Sequence, residues 1–179
     1  MERHIYESYK AKAIELFEKA NIILTETEKE TVEVADFGLN KIEDTGLQLI
    51  TYVNTEKVCA KELALLPYQT CPEHKHPKRD FDDGKEETFR CRYGTVYLYV
   101  GGKETDNRTM TPPQGDEAFY TAFKEIILRP GEQYTIYPNT LHWFKAGPEG
   151  AVVSEFSTRS TDESDIFTDS RINRVPVID

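Results

Sequence analysis

The sequence has no basic run. Its 22 Lys and Arg face 32 Asp and Glu, leaving a formal charge of −10. A chain with this balance repels a phosphate backbone, which argues against nucleic acid as a partner. Long apolar runs are missing too, and no stretch approaches the roughly 18 residues that a membrane span requires. The opening MERHIYESYKAKA is charged and lacks an apolar segment, so no secretory leader is expected. Cysteine is scarce. Cys59, Cys71 and Cys91 are odd in number and lack metal-knuckle spacing, which points to a reduced, cytoplasmic protein. Apolar residues are sparse at 38%, against roughly 45–50% (glycine included) in typical globular domains. Aromatic rings compensate: 10 Tyr, 9 Phe and 1 Trp bury much area per residue and are not the composition of a disordered chain. The 179 residues suffice for one domain and are short for two.

What is present is ordered along the chain. Ile5, Tyr9, Ala13, Leu16, Phe17 and Ala20 recur at helical spacing, so residues 6–20 are predicted to form a helix. Residues 21–45 are acidic and mixed, read as a short helix or strand plus loops. From residue 47 the pattern changes to short β-branched and aromatic runs: 47–53, 58–66, 87–93, 95–100, 123–128, 133–138, 142–147 and 151–157. Gly94, Gly101-Gly102, Pro130-Gly131 and Gly147-Pro148 punctuate them. Strands this short and regular predict an all-β sandwich or barrel. The expected organisation is a single unit, with a helical extension over 1–45, a barrel over 46–160 and a closing segment over 161–179.

Four residues carry chemistry. His74 and His76 form an H-x-H pair, and in an extended segment both imidazoles share a face. Glu87 opens the next strand, with Phe89, Cys91 and Tyr93 on its side and Arg90 and Arg92 on the other. An inward carboxylate is costly unless it is paired or bound to a cation. His142 opens a later strand, with Phe144 on its side. Three of the chain's four histidines thus sit at strand starts. Three imidazoles and a carboxylate facing one interior suit a divalent transition metal (Mn, Fe, Co, Ni or Zn) and leave open positions on a six-coordinate ion. Cys71 and Cys91 lie near this cluster and are read as packing residues.

The spacing resembles the cupin barrel. Its first motif has two histidines one residue apart, then a glutamate, then a glycine seven residues on, as in His74, His76, Glu87 and Gly94. Its second runs from a glycine to a histidine eleven residues later, as in Gly131 and His142, with Pro138 one place late. The gap between His76 and Glu87, PKRDFDDGKE, is longer than the general motif and is expected to loop at the barrel mouth. It makes Glu86 a rival ligand, but Glu86 would align with Arg90 and Arg92, so facing favours Glu87.

The segments GLQLITYVNTEKVCAKELALLPYQTCPEHKHP, GKEETFRCRYGTVYLYV, PGEQYTIYPNTLHWFKAG, EGAVVSEFST and DIFTDSRI resemble the D-lyxose isomerase family of cupins from about residue 37 to 174. That resemblance implies interconversion of D-lyxose and D-xylulose through a cis-enediol, D-mannose and D-fructose as further substrates, Mn²⁺ as the preferred ion and a cytoplasmic homodimer acting on free sugars. Val153, Glu155 and Ser157 share a face, and Glu155 is the expected base. Lys85 resembles a family lysine placed near the sugar oxygens, where it would polarise a hydroxyl. Asp165 and Asp169 are candidate acceptors for sugar hydroxyls. A phosphosugar isomerase would need a clamp, for which Arg79, Arg90 and Arg92 are the candidates. A non-catalytic sugar-binding cupin and an iron dioxygenase are the other readings.

Overall fold

The computed structural model describes residues 1–79, 83–175 and 177–178. Part of the loop expected at the barrel mouth, residues 80–82, lies outside the described residues. The chain opens with α1 (Arg3–Lys19) and α2 (Glu26–Glu30), the latter started by a reciprocal capping box between Thr25 and Glu28. Among the described residues nine strands follow: β1 (Glu33–Ala35), β2 (Leu47–Asn54), β3 (Cys59–Leu65), β4 (Thr70–Lys75), β5 (Glu87–Val100), β6 (Lys124–Leu128), β7 (Gln133–Ile136), β8 (His142–Ser157) and β9 (Ile166–Phe167). The predicted strand pairs 87–93/95–100 and 142–147/151–157 are thus continuous in β5 and β8. The short β1 and β9 carried too little alternation to be read from sequence, and β4 was not among the predicted runs, its histidines being read only as sharing a face if their segment is extended.

Among the described residues, these strands pair antiparallel in one nine-stranded sheet, and β5 and β8 each run through both of its halves. Residues 151–157 of β8 lie between β3 and the first half of β5, continuing the order β1-β2-β3-β8-β5-β7. Residues 142–146 lie between β4 and the second half of β5, giving β9-β4-β8-β5-β6. The two long strands therefore fold back at their middles and close a sandwich, the double-stranded β-helix of a cupin.

Two glycines make that fold-back possible. Gly94 has φ +68°, and a Cβ there would lie 2.0 Å from the Gly150 carbonyl oxygen. Gly150 itself has φ +77°. Both the left-handed backbone and the close approach exclude larger residues. Opposite Gly94–Val96, β8 pairs through Ala151 and Ala146, so Gly147–Gly150 bulges outward.

The interior between the two halves is filled by Leu49, Leu63, Phe89, Leu98, Phe144 and Val153, among others. Each such side chain contributes about 1.5–3 kcal/mol by leaving water. A second cluster lies outside, where Ala13, Leu16 and Phe17 of α1 cover Ile50, Ala64 and Val152. This is the face predicted by the helical spacing. One expected facing is corrected. Cys91 pairs with Val153 but Tyr93 with Val152, so Arg92 is an extra residue on β5. The bulge inverts the alternation, and Tyr93 packs in the outer cluster under α1, not on the inward side of Glu87.

Candidate active site

The fold-back brings both ends of β5 and β8 to the same mouth of the sandwich. His142 begins β8 and pairs with Val100 at the end of β5, while Glu87 begins β5 and pairs with Ser157 at the end of β8. Across the interior, Glu87 Oε1 nevertheless lies 3.0 Å from His142 Nε2 and 3.2 Å from His76 Nε2. His74 is the Cα partner of His142 on β4. One ring nitrogen from each of His74, His76 and His142 lies within 4.8 Å of the other two, and all three rings are buried. The four residues read as ligands are brought together. Glu86 is exposed and outside the cluster.

The hydrogen bonds behind the rings fix their tautomers. His74 Nδ1–H donates to the Pro72 carbonyl at 2.8 Å, and His142 Nδ1–H donates to the Thr140 carbonyl at 2.9 Å. Neither acceptor has a proton to give, so the hydrogen must be on Nδ1. His76 Nδ1–H donates to Asp165 Oδ1 at 2.6 Å. All three imidazoles therefore turn Nε2 toward the cluster, as outer-shell partners of metal-binding histidines do. His142 Nε2 is fully buried and makes no aligned hydrogen bond, although Glu87 is 3.0 Å away. An orphaned ring nitrogen beside a carboxylate is costly in itself, and a shared cation would satisfy both. With three neutral-capable imidazoles and one carboxylate, the donor set fits a divalent transition metal.

Electrostatics within the cluster are strongly coupled. Burial and the neighbouring His142 and His76 push His74 well below the ordinary imidazole range. Burial also opposes a charge on His76, but Glu87 and Asp165 outweigh it and lift that ring to about 9. Burial works against ionisation of Glu87, yet Lys85 and His76 hold its carboxyl well below the usual range. Burial raises Asp165, partly offset by its hydrogen bond to His76.

Lys85 and Glu155 stand beside this cluster. Lys85 Nζ lies 2.7 Å from Glu87 Oε2 and 2.6 Å from Glu155 Oε1. Burial disfavours its charge, but Glu155 and Glu87 keep it well above the ordinary lysine range. Glu155 is on the inward side of β8, as read from Val153 and Ser157, and its Oε1 accepts from this lysine and, at 3.3 Å, from Ser157 Oγ. The cavity that contains these groups has an apolar wall, including Phe37, Leu49, Phe144 and Phe167, and a polar wall. The polar wall adds three residues that the sequence reading did not single out: Lys61, Asp162 and Arg174. Lys61 donates to Asp162 Oδ2 at 2.6 Å and to Ser160 Oγ at 2.9 Å, and Arg174 reaches Asp162 at 3.2 Å and pairs with Glu33. Lys61 is the Cα partner of Glu155. Its inward facing two residues before Leu63 was the signal available in the sequence.

Other candidates fall elsewhere. Asp169 pairs with Arg171, which also holds Asp116, so this aspartate belongs to an ion network away from the cavity. Arg79 donates to Thr161 at the surface, Arg90 bonds to Gln133 and Arg92 is exposed. None of these arginines lines the cavity. Cys71 and Cys91 are core residues, and burial pushes both thiols up, Cys91 to about 11.

Comparison with known proteins agrees with this architecture. Residues 9–179 match the model of the family described as D-lyxose isomerase. A D-lyxose/D-mannose isomerase of Thermosediminibacter oceani is 64% identical over 94% of this chain and 93% of its own length. A D-lyxose ketol-isomerase of Cohnella laeviribosi is 61% identical, over 92% and 91% respectively. Among solved structures, the L-ribose isomerase of Cellulomonas parahominis superposes with a TM-score of 0.81 at 16% identity, covering 100% of this chain and 98% of that one. The L-ribose isomerase of Acinetobacter sp. DL28 gives 0.79 at 18%, with the same coverage. At these identities the likeness concerns the fold alone. By the family match and the close relatives, this chain belongs to the D-lyxose isomerase family.

Proposed function

We propose that the protein is a metal-dependent aldose–ketose isomerase that interconverts D-lyxose and D-xylulose and also accepts D-mannose and D-fructose. The observation that carries this reading is the convergence of His74, His76, Glu87 and His142 at the mouth of the sandwich, with the Lys85–Glu155 pair 2.6 Å long beside them. His74, His76, Glu87 and His142 would hold the ion, which we take to be Mn²⁺. A bound divalent cation supplies Lewis acidity, acidifying the C–H next to a carbonyl.

The remaining work falls to side chains. Glu155 is the base that moves a proton between C2 and C1 by way of a cis-enediol. Lys85 commits two of its three N–H donors to Glu87 and Glu155. It holds Glu155 in place, and its third N–H is the donor for a sugar oxygen as charge builds there. The apolar wall packs against the C–H face of the sugar, and the wall of Lys61 and Asp162 meets its hydroxyls. Free sugars are favoured over phosphosugars, because Arg79, Arg90 and Arg92 lie outside the cavity and its Lys61 and Arg174 are already committed to Asp162 and Glu33. The working form we propose is a cytoplasmic homodimer. Exposed Tyr52 and Phe156 on the outer face of β2 and β8 offer it apolar area.

The test is a panel of sugars against a panel of metals. The chelated protein should be inactive, and Mn²⁺ should restore ketose formation from D-lyxose and D-mannose but not from their phosphates. Absence of ketose from both free sugars under every metal would refute the reading. Turnover confined to phosphosugars would favour the phosphosugar isomerase instead.

A further inference from the structure

The strand that carries His74 and His76 is not regular. Cys71 pairs with Phe144 and His74 with His142, so three residues of β4 match two of β8. The extra residue falls at Pro72-Glu73. Proline lacks the N–H that a ladder needs, and a bulge is one of the few places where a sheet tolerates it. The bulge also sets the facing. Cys71 and His74 both point inward although they are three residues apart, so without the extra residue His74 would point out of the cavity.

Glu73 occupies the outer side of this bulge and is 1% exposed. Its carboxylate accepts four hydrogen bonds: Thr121 N–H at 2.7 Å, Thr121 Oγ1 at 3.0 Å, Ala122 N–H at 2.7 Å and Thr168 Oγ1 at 2.7 Å. The carbonyl of the same Ala122 accepts the indole N–H of Trp143 at 2.7 Å. Residue 122 is therefore held by the neighbour of His74 on one strand and by the neighbour of His142 on the next. It straps the two strands together from behind at the level where the ladder is interrupted. Thr168 N–H donates to the Glu73 carbonyl at 3.1 Å. That bond fastens the closing segment, whose Phe167 pairs with His74 and whose Asp165 holds His76.

We propose that Glu73 is a positioning residue for the metal-binding histidines. Through residues 121–122 and Thr168 it fixes the β4 bulge, and so the aim of His74 and His76, without touching ion or sugar. The proposal rests on the reading that His74, His76, Glu87 and His142 hold a metal.

The experiment titrates Co²⁺ into the metal-free full-length chain, reading affinity by calorimetry and geometry by the visible absorption of bound Co²⁺. Wild type is compared with Glu73→Ala, Glu73→Gln and Thr121→Val. Leu16→Ala, which loosens packing under α1 far from the cavity, serves as the control for lost stability alone. Removing an outer-shell support typically costs 10–100-fold in metal affinity, and Glu73→Ala should fall in about that range with shifted Co²⁺ bands. Glu73→Gln, which places an amide N–H₂ among N–H donors, should lie between it and wild type. Leu16→Ala should bind as wild type does. Wild-type affinity and spectrum in Glu73→Ala, or an equal loss in Leu16→Ala, overturns the proposal. If Glu73→Ala does not fold, wild-type binding by both Glu73→Gln and Thr121→Val overturns it. Wild type that binds no Co²⁺ removes the metal reading itself, and this proposal with it.

Discussion

The two ends of the β5–β8 pair use the same strands for opposite purposes. At the fold-back, Cys91, Val96, Ala146, Ala151 and Val153 close an apolar interior around Gly94 and Gly150. At the mouth, the same strands deliver Glu87, His142 and Glu155, all buried and all polar. The closed end draws its stability from apolar area and close backbone approach. The open end buries charge, a cost that is met by mutual pairing and would be met better by a cation. The lesson is that the mouth is kept for chemistry at the expense of stability, while the fold-back supports it.

Substitutions that separate the two ends sharpen this contrast. The largest catalytic effect should come from Glu155→Gln, with turnover of D-lyxose falling about 10²–10⁴-fold and metal binding retained. Steady-state kinetics beside a metal titration measure both, and full activity would remove Glu155 from the role of base. At the closed end, Leu65→Ala, opposite Ala151, should cost about 2–5 kcal/mol of stability, seen in denaturant unfolding, with turnover per folded molecule unchanged. Asp165→Asn comes next. By loosening the bond that orients His76, it should weaken metal binding about 10–100-fold, read by calorimetry.

A pH effect separates the ends further. In the metal-free chain His76 holds its proton up to about 9, and a bound ion must displace it. Apparent metal affinity should therefore climb as pH rises from neutrality and level off near 9. The sign for stability is the reverse. A raised pKa on a histidine stabilises the metal-free fold below its ordinary 6.5, and that contribution is lost as pH rises through about 9. Unfolding of the chelated protein across this range checks it, and no comparable change should occur in a His76→Gln variant. The smallest effect is expected from Arg92→Ala, an exposed bulge residue outside the cavity, with turnover within about twofold of wild type.

Much of this contrast was legible in the sequence, for stated reasons. The closed end follows from short β-branched and aromatic runs between turn residues, which marked strands such as 47–53 and 133–138 but not their covered faces: Leu49 faces the interior while Ile50 lies under α1. Glu87 and His142 open β5 and β8 as read, but His74 and His76 were expected at a strand start and instead lie at the end of β4 and just past it; they were legible because residues two apart in an extended segment share a face. Tyr93 was misplaced because a bulge is a one-residue event that alternation cannot show. Lys61, Asp162 and Arg174 went unread because they reach the cavity from β3, a 3₁₀ turn and the closing segment, and only the tertiary fold brings those together. Asp169 looked equivalent to Asp165 in sequence. The structure separates them because Arg171 captures one and His76 the other.

The most direct test of the account is D-lyxose turnover measured against Mn²⁺ bound per chain, starting from fully chelated protein. The account predicts no ketose without metal and a linear rise that saturates at one ion per chain, lost in His142→Ala. Undiminished turnover by the metal-free protein would contradict it.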